Sequence, residues 1–369
     1  MFDNRGKVQS VLGPIDPAEL GVTLAGDSVF TDLSNFRGPP TEASARETYF
    51  APISTETLVA QGYYGVRNAR QLRIGDVGEA IEAVMVFKQW GGQAIVDNGS
   101  VGVGRDPVAL ARVSRATGVN IIMGGSYYAI RSHPPEVAQM DEDELAEKIA
   151  REVTDGVGGT GIRPGALGET GLTTPISPDE VKVLRATGRA SRATGAPIVI
   201  HPAEADEAPL HHIEVLGNLG VDLSTVIMCH IGPRSDEVAI ELARAGCYLR
   251  LEHFAEFGRA SSPYSFSYSG TPLGHEQPAL TLEPSSSGVD ANLSRIRRLF
   301  EQGYGEQVLV CTDINGRGRL EAYGGHGYQF LLANVVPHMR QVGFSDDAIR
   351  TLFVDNPARA FTFAAPGTA

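Results

Sequence analysis

The segments PIVIH (Pro197–His201) and TVIMCH (Thr225–His230) decide the fold class of this 369-residue chain. Each is a short, continuous apolar run that ends in a histidine, and such runs are typical of strands buried on both faces of a parallel sheet. Leu210–Leu219, which lies between them, has the spacing of apolar residues expected for a helix. The order strand, helix, strand predicts that both histidines stand at the carboxyl ends of neighbouring parallel strands.

The same alternation continues through most of the chain. Further strand-like segments are Gly21–Val29, Ala94–Asp97, Asn120–Met123, Gly161–Glu169, Cys247–His253 and Gln307–Asp313. Helical patterns occur at Pro107–Thr117, Met140–Val157, Pro178–Thr194, Ser235–Ala245 and Leu293–Tyr304. Eight strands that alternate with helices fit a (β/α)8 TIM barrel or a doubly wound sheet. Polar residues at several separated strand ends favour the barrel, because closure brings all eight ends to one mouth.

The domain organisation is predicted to be simple. We expect one barrel domain over residues 1–369, with a short N-terminal extension at residues 1–20. Residues 259–290 are rich in Ser, Pro and Gly and predict a long loop near the barrel mouth. Loops of that length are usually functional, and a disordered surface excursion is the alternative.

Composition excludes several classes of function. The chain has 44 acidic and 31 basic residues and a formal net charge of −13, which disfavours binding to nucleic acid or anionic membranes. No apolar run approaches the roughly 20 residues of a membrane span, and the N-terminus lacks the apolar core of a secretory signal. Cys229, Cys247 and Cys311 lie in apolar runs and indicate buried thiols in a reducing compartment. These features predict a cytoplasmic protein with a small-molecule substrate.

Four polar residues at predicted strand ends are candidates for metal chemistry. His201 and His230, on neighbouring strands, can converge on one metal ion. Glu169 can ligate or bridge metals, and Asp313 can ligate or act as a general base. Two histidines and one carboxylate leave a coordination position open, which is the usual pattern of catalytic zinc. The alternatives are core histidines with satisfied hydrogen bonds, and carboxylates that cap helices or pair with arginine.

Longer motifs relate the chain to a known family. They include IVDNGSVGVGRDP (Ile95–Pro107), GIRPGALGETG (Gly161–Gly171) and the long C-terminal segment Gly324–Phe361. On these motifs the chain resembles the phosphotriesterase-related branch of the amidohydrolase superfamily, over nearly its whole length. The resemblance implies a (β/α)8 hydrolase with metal at the barrel mouth, frequently a homodimer. Family substrates include lactones, carboxylic esters, amides and organophosphate triesters.

The resemblance also assigns ligands and reveals a departure. It implies that Glu169 is the bridging carboxylate, that His201 and His230 are metal ligands, and that Asp313 is the aspartate ending the eighth strand. The family's His-x-His pair at strand one is replaced by Gly26-Asp27-Ser28. Since that pair normally holds the more buried of two metals, we expect one divalent ion, zinc, with manganese, iron or cobalt as alternatives. Whether Asp27, Ser28 or His253 compensates is left open.

The complete prediction is a metal-dependent hydrolase of an ester, lactone or amide bond, with Asp313 as the catalytic base. The alternatives are a metal-free lyase or hydrolase on the same barrel, and a non-catalytic descendant that binds a small molecule. Predicted substrate contacts are Tyr127, Tyr128, Arg234, His253 and Arg317, all close to strand ends.

Overall fold

The computed structural model describes residues 3–36, 38–57, 68–255 and 288–367. Its centre is a sheet of eight parallel strands, in which each strand pairs with its neighbour in sequence among the eight. The strands are β1 (Thr23–Leu24), β2 (Ala94–Asp97), β3 (Asn120–Gly125), β4 (Ala166–Gly171), β5 (Ile198–His201), β6 (Val226–Met228), β7 (Tyr248–Leu251) and β8 (Val308–Val310).

The sheet closes between its first and last strands. The Ala25 N–H donates to the carbonyl of Val310 at 3.1 Å, and the Ser28 N–H donates to the carbonyl of Ile314 at 2.7 Å. The Asp27 carboxylate joins the same seam by accepting hydrogen bonds from the segment that follows β8. The predicted TIM barrel is confirmed.

Helices follow the strands and cover the outside of the barrel. They are Val77–Gln89, Pro107–Thr117, Glu142–Asp155, Pro178–Thr194, Ala208–Asn218, Asp236–Arg244 and Val289–Glu301. Shorter helices are Ala43–Phe50, Pro135–Gln139, Val336–Gln341, Asp346–Arg350 and Asn356–Ala360. Among the described residues, no helix combines the length and the apolar character needed to cross a membrane.

Several predicted strands are shorter in the structure, among them Thr225–His230, Cys247–His253 and Gln307–Asp313, and the physical reason is clear for two others. The segment predicted at Gly21–Val29 pairs as a strand only over Thr23–Leu24, because the following residues bond across the barrel seam. The segment predicted from Gly161 begins as a strand at Ala166. Gly161 has a φ of 72°, and Pro164 has no N–H to donate to a neighbouring strand.

The N-terminal extension and the predicted loop have different outcomes. Val8–Ser10 pairs antiparallel with Gly13–Ile15 in a small hairpin, and Val8 also bridges to Thr362 near the other end of the chain. Residues 259–287 of the predicted loop lie outside the described residues. Gly288 caps the helix Val289–Glu301, which contains the predicted loop's last residues.

The barrel strands place alternate side chains on two sides. Residues such as Val96, Val199 and Leu309 pack in the barrel interior, whereas their sequence neighbours belong to the larger core beneath the helices. In β7, Leu249 and Leu251 belong to that larger core. Arg250, between them, therefore points into the barrel interior, where a charged side chain needs partners.

Candidate active site

Four residues that closely follow barrel strands have an unusual backbone, namely Ser126, with a φ of 60° after β3, and three residues at the candidate site. His230, His253 and Asp313 follow β6, β7 and β8, and their φ angles are 55°, 61° and 56°. For an L-residue this left-handed conformation costs about 1–2 kcal/mol. Such residues persist where the surrounding structure fixes them, and they concentrate at functional sites. The strand ends are thus shaped to present these side chains at the mouth.

The histidines form one cluster. The ring centroids of His201 and His230 are 4.5 Å apart, and His253 stacks on His230 at 5.3 Å. Tyr128 packs edge-on against His201 at 5.3 Å. The cavity beside this cluster is lined by Ser28, Asn98, Tyr128, Glu169, His230 and Asp313, among others. The four predicted metal ligands therefore come together at one end of the barrel.

Glu252 fixes the orientation of His230. Its Oε2 lies 2.6 Å from Nδ1 of His230 and also accepts the His230 backbone N–H at 2.8 Å. Burial would raise the pKa of Glu252, but the charges of His230 and Arg250 outweigh it and hold the pKa below its ordinary value. A carboxylate bound at Nδ1 leaves Nε2 of the imidazole as the metal-binding atom, as in many metal sites.

His201 is held in the form that binds metals. Burial, and then the charge of His230, keeps the pKa of His201 well below its ordinary value. The imidazole is therefore neutral at physiological pH, and neutral imidazole is the ligating form.

The floor of the site is an arginine that sequence reasoning missed. The Arg250 side chain is fully buried and is ion-paired through Nη2 with Glu169 and through Nε with Glu252, the latter at 2.5 Å. Its Nη1 also donates to Asn98 Oδ1 at 3.0 Å and to the carbonyl of Ala25 at 3.3 Å. The available signal was an arginine between two leucines in a buried strand, because such a charge requires a buried partner.

The altered strand-one motif is explained by Arg250. A Cβ atom at Gly26 would overlap Nη1 and Cζ of Arg250 and would lie 2.8 Å from its Nε. Glycine therefore opens the space that the guanidinium fills. Ser28 is 5% exposed and lines the cavity.

The Asp27 carboxylate, between these two positions, is held by hydrogen bonds to residues that follow β8. Its carboxylate accepts hydrogen bonds from the Thr312 hydroxyl at 2.6 Å and from the Ile314 N–H at 2.7 Å. Burial raises the pKa of Asp27 to about 7 in spite of these bonds. Its carboxylate oxygens thus bind the end of β8, which makes it unsuited to replace the missing imidazoles.

On the mouth side of Glu169, called here the outer side, His201 and His230 offer imidazole nitrogens, and Glu169 and Asp313 offer carboxylate oxygens. Among the described residues, the groups whose possible ligand atoms all lie within 4.8 Å of one another are His230, Glu252 and His253, and Glu169, Cys229 and Glu252. His253 Nε2, at 3.8 Å from Asp313 Oδ2, is a further donor nearby. At the inner side, Gly26 has no ligand atom, and the Arg250 guanidinium pairs with Glu169 and Glu252, two of the three possible ligands in the group that also contains Cys229. The guanidinium thus takes the charge-compensating position that an ion would need there. The ligand assignment itself remains a prediction.

The predicted substrate contacts divide into two groups. Tyr128 and His253 lie in the cluster described above. The other three have partners outside it. The Tyr127 hydroxyl donates to Glu136 at 3.2 Å; Arg234 donates to the carbonyls of Ala203, Glu204 and Ala205; and Arg317 pairs with Glu79 at 3.1 Å. Substrate binding by Tyr127, Arg234 and Arg317 remains a prediction that these contacts do not support.

Comparison with known proteins gives the family. The profile of the Phosphotriesterase family matches residues 6–361. The chain belongs to the phosphotriesterase family. The predicted resemblance is confirmed, and with it the hydrolase class at the level of the family.

Individual members of the family are similar over nearly their full length. Human N-acetyltaurine hydrolase is 34% identical over 97% of this chain and 98% of its own. The phosphotriesterase-related protein of Nematostella vectensis is also 34% identical, over 97% and 99% of the two chains. A crystal structure described as a resiniferatoxin-binding protein from Rhodobacter sphaeroides is 31% identical, with a TM-score of 0.85 over 96% and 95% of the two chains.

Proposed function

We propose that this member of the phosphotriesterase family is a metal-dependent hydrolase that uses one divalent ion, zinc by its ligand types, to cleave the amide bond of a small N-acyl substrate. The observation that carries the proposal is that Glu169, His230 and Asp313 line one cavity and that His201 packs against His230 with the ring centroids 4.5 Å apart. The relatives named N-acetyltaurine hydrolase favour an amide among the bonds considered. Esters and lactones remain candidate substrates because the same chemistry cleaves them.

Asp313 is the proposed proton acceptor. Its Oδ2 accepts a hydrogen bond from Asn315 Nδ2 at 3.1 Å, which orients the carboxylate at the mouth. His201, His230 and Glu169 would hold the divalent ion, whose Lewis acidity would polarise the scissile carbonyl and lower the pKa of water. The Asp313 carboxylate then takes the proton of the attacking water as general base.

We assign the next proton transfer to His253. Its Nε2 lies 3.8 Å from Asp313 Oδ2 and 3.3 Å from Nδ1 of His230. An imidazole at that position can receive the proton from Asp313 and deliver it to the leaving nitrogen. The proposal therefore gives Asp313 and His253 successive roles in proton transfer, and it gives Glu252 the role of orienting His230.

The test combines metal content with turnover. Protein purified without a metal-affinity tag is analysed by mass spectrometry for metals and assayed on N-acyl amines, carboxylic esters and lactones, with and without chelator. We expect about one metal ion per chain, turnover that chelation abolishes and zinc restores, and loss of both in His201→Ala. His211→Ala is the matched control, since His211 is an exposed residue of the helix Ala208–Asn218.

Other results would replace the proposal with a specific alternative. Turnover that resists chelation would indicate metal-free hydrolysis or lysis. Ligand-dependent thermal stabilisation without turnover would indicate a binding protein. The similar structure from Rhodobacter sphaeroides is described as a binding protein, which is the reason to consider this second alternative.

The assembly and the cellular location are proposals from the resemblance and the sequence. We propose a homodimer in a reducing cytoplasm, where the buried free thiols of Cys229, Cys247 and Cys311 remain reduced. Light scattering of the purified protein tests the dimer directly.

A further inference from the structure

Arg250 brings a permanent positive charge into the barrel interior. An arginine side chain stays protonated in proteins, so its charge is independent of pH. The guanidinium has no exposed surface and contacts groups from three other strands or strand ends: Ala25, Asn98 and Glu169. Its fourth partner, Glu252, comes from the end of its own strand.

The charge matters because two carboxylates are buried on either side of it. Glu169 is 4% exposed and Glu252 is 2% exposed. An isolated buried carboxylate is strongly disfavoured, and a cation between two of them removes much of that penalty. The Arg250 guanidinium, bonded to one oxygen of each, has the position and the charge for this role.

The guanidinium also excludes other groups from its place. A side chain at Gly26 would overlap it, and the sequence has glycine there where the family pattern has an imidazole ligand. The ligand that is missing and the cation that is present therefore occupy the same volume. One explanation therefore covers the missing ligand at Gly26 and the buried cation beside it.

We propose that the Arg250 guanidinium is a built-in cation that takes the place of a second, inner metal ion, so that the site binds a single divalent ion. The inference rests on the proposed function for the outer ion. Arg250 is a positioning residue, since it holds Glu169 directly and reaches His230 through Glu252. It lies below the reacting groups and needs no contact with substrate.

The experiment measures metal stoichiometry and melting temperature in the full chain, with zinc or manganese supplied and then with chelator. The variants are Arg250→Leu, which removes the charge, and Arg250→Lys, which keeps it. Arg151→Leu is the control, because Arg151 is an exposed helix residue with a solvent-screened partner.

We expect about one ion per chain in the parent, in Arg250→Lys and in the control. We expect about two ions in Arg250→Leu, the second held by Glu169, Glu252 and Cys229, whose possible ligand atoms lie within 4.8 Å of one another, and a melting temperature that falls further on chelation than in the parent. The proposal is overturned if Arg250→Leu retains one ion and responds to chelation like the parent.

A second variant keeps the proposal testable if Arg250→Leu folds poorly. Gly26→His, Ser28→His and Arg250→Leu together supply imidazoles in the vacated space, and two ions per chain are expected. One ion in this folded variant overturns the proposal, as does failure of both variants to fold in excess metal. A moderate gain of folded protein with added metal supports it.

The outcomes separate this inference from the proposed function. Two ions in the parent chain would overturn the built-in cation and leave the hydrolase proposal standing. No ion in the parent, but uptake of one in Arg250→Leu, would remove the metal-dependent mechanism and support the built-in cation.

Discussion

Gly26→Ala is the substitution for which the position of Arg250 decides whether the fold is stabilised or destabilised. Gly26 is not among the residues with positive φ, so its backbone accepts alanine without strain. On backbone grounds alone, the change would stabilise the fold by about 0.4–1 kcal/mol. The structure predicts the opposite, because the new Cβ would overlap the guanidinium of a side chain with no free volume around it.

The magnitude follows from what must move. Relief of the overlap requires the guanidinium to leave at least one of its carboxylate partners, and breaking a buried ion pair costs about 3–5 kcal/mol. An unfolding entropy of roughly 2.1 cal/mol/K per residue gives about 0.8 kcal/mol/K for 369 residues. We therefore expect the melting temperature to fall by about 4–6 °C.

Calorimetry or thermal unfolding followed by circular dichroism provides the assay. Gly217→Ala is the control, because Gly217 lies in the helix Ala208–Asn218 and a Cβ atom added there would meet nothing within 4 Å. We expect it to be neutral or stabilising. The double variant Gly26→Ala, Arg250→Leu should lose no further stability relative to Arg250→Leu. A melting temperature unchanged or raised by Gly26→Ala alone would refute the reasoning.

Three further predictions concern groups around the site. Asp27→Ala leaves buried donors at the end of β8 unpaired, so we expect it to lower the free energy of unfolding by about 3 kcal/mol. The metal content should not change, and a loss of metal would show that Asp27 is a ligand. Burial, and then the charge of Arg234, lowers the pKa of His212 from its ordinary 6.5 to about 4. As the pH drops from about 6.5 to 4, His212 binds a proton in the unfolded chain before it does so in the folded chain, and the free energy of unfolding therefore falls. In His212→Gln the amide oxygen can still accept the Ala203 N–H, but the side chain does not titrate. The loss of free energy of unfolding between pH 7 and pH 4.5, measured by urea titration, should therefore be smaller than in the parent by up to about 3 kcal/mol. An equal loss in parent and variant would contradict this prediction. Glu252→Gln should weaken metal binding about 10–100-fold in competition with a chelator, because His230 loses its orienting carboxylate, whereas unchanged affinity would remove Glu252 from that role.

The sequence predicted best those elements whose ends carry local signals. The helices Pro107–Thr117 and Pro178–Thr194 have the predicted bounds. Each begins after a capping side chain, and each ends at a glycine in the left-handed conformation, with φ of 69° and 77°. β1 was predicted too long, because its ending depends on bonds to β8, which are distant in sequence.

The site was predictable in its outline for a similar reason. Parallel strands in a barrel bring their carboxyl ends to one mouth, so polar residues at strand ends converge whatever their separation in sequence. Arg250 was not predicted, because it lies within a strand and its pairing with Glu169 joins residues 81 positions apart. A buried charge indicates the need for a partner, but strand order alone does not give the layer of the barrel in which that partner lies.

The proposed replacement of an inner metal ion by Arg250 affects which groups of the site take part in the chemistry. A guanidinium can pair with both Glu169 and Glu252 and offset part of their charge, but it offers no empty coordination position for water or for a substrate oxygen. In the proposed mechanism, Lewis acidity would come only from the outer ion, which His201 and His230 would hold. Asp313, with no inner ion to ligate, would keep a carboxylate oxygen for the proton of the attacking water. On the proposed mechanism, Gly26 and Arg250 together would keep one of the two positive charges that an inner divalent ion would bring, and the chemistry would depend on one ion and one base.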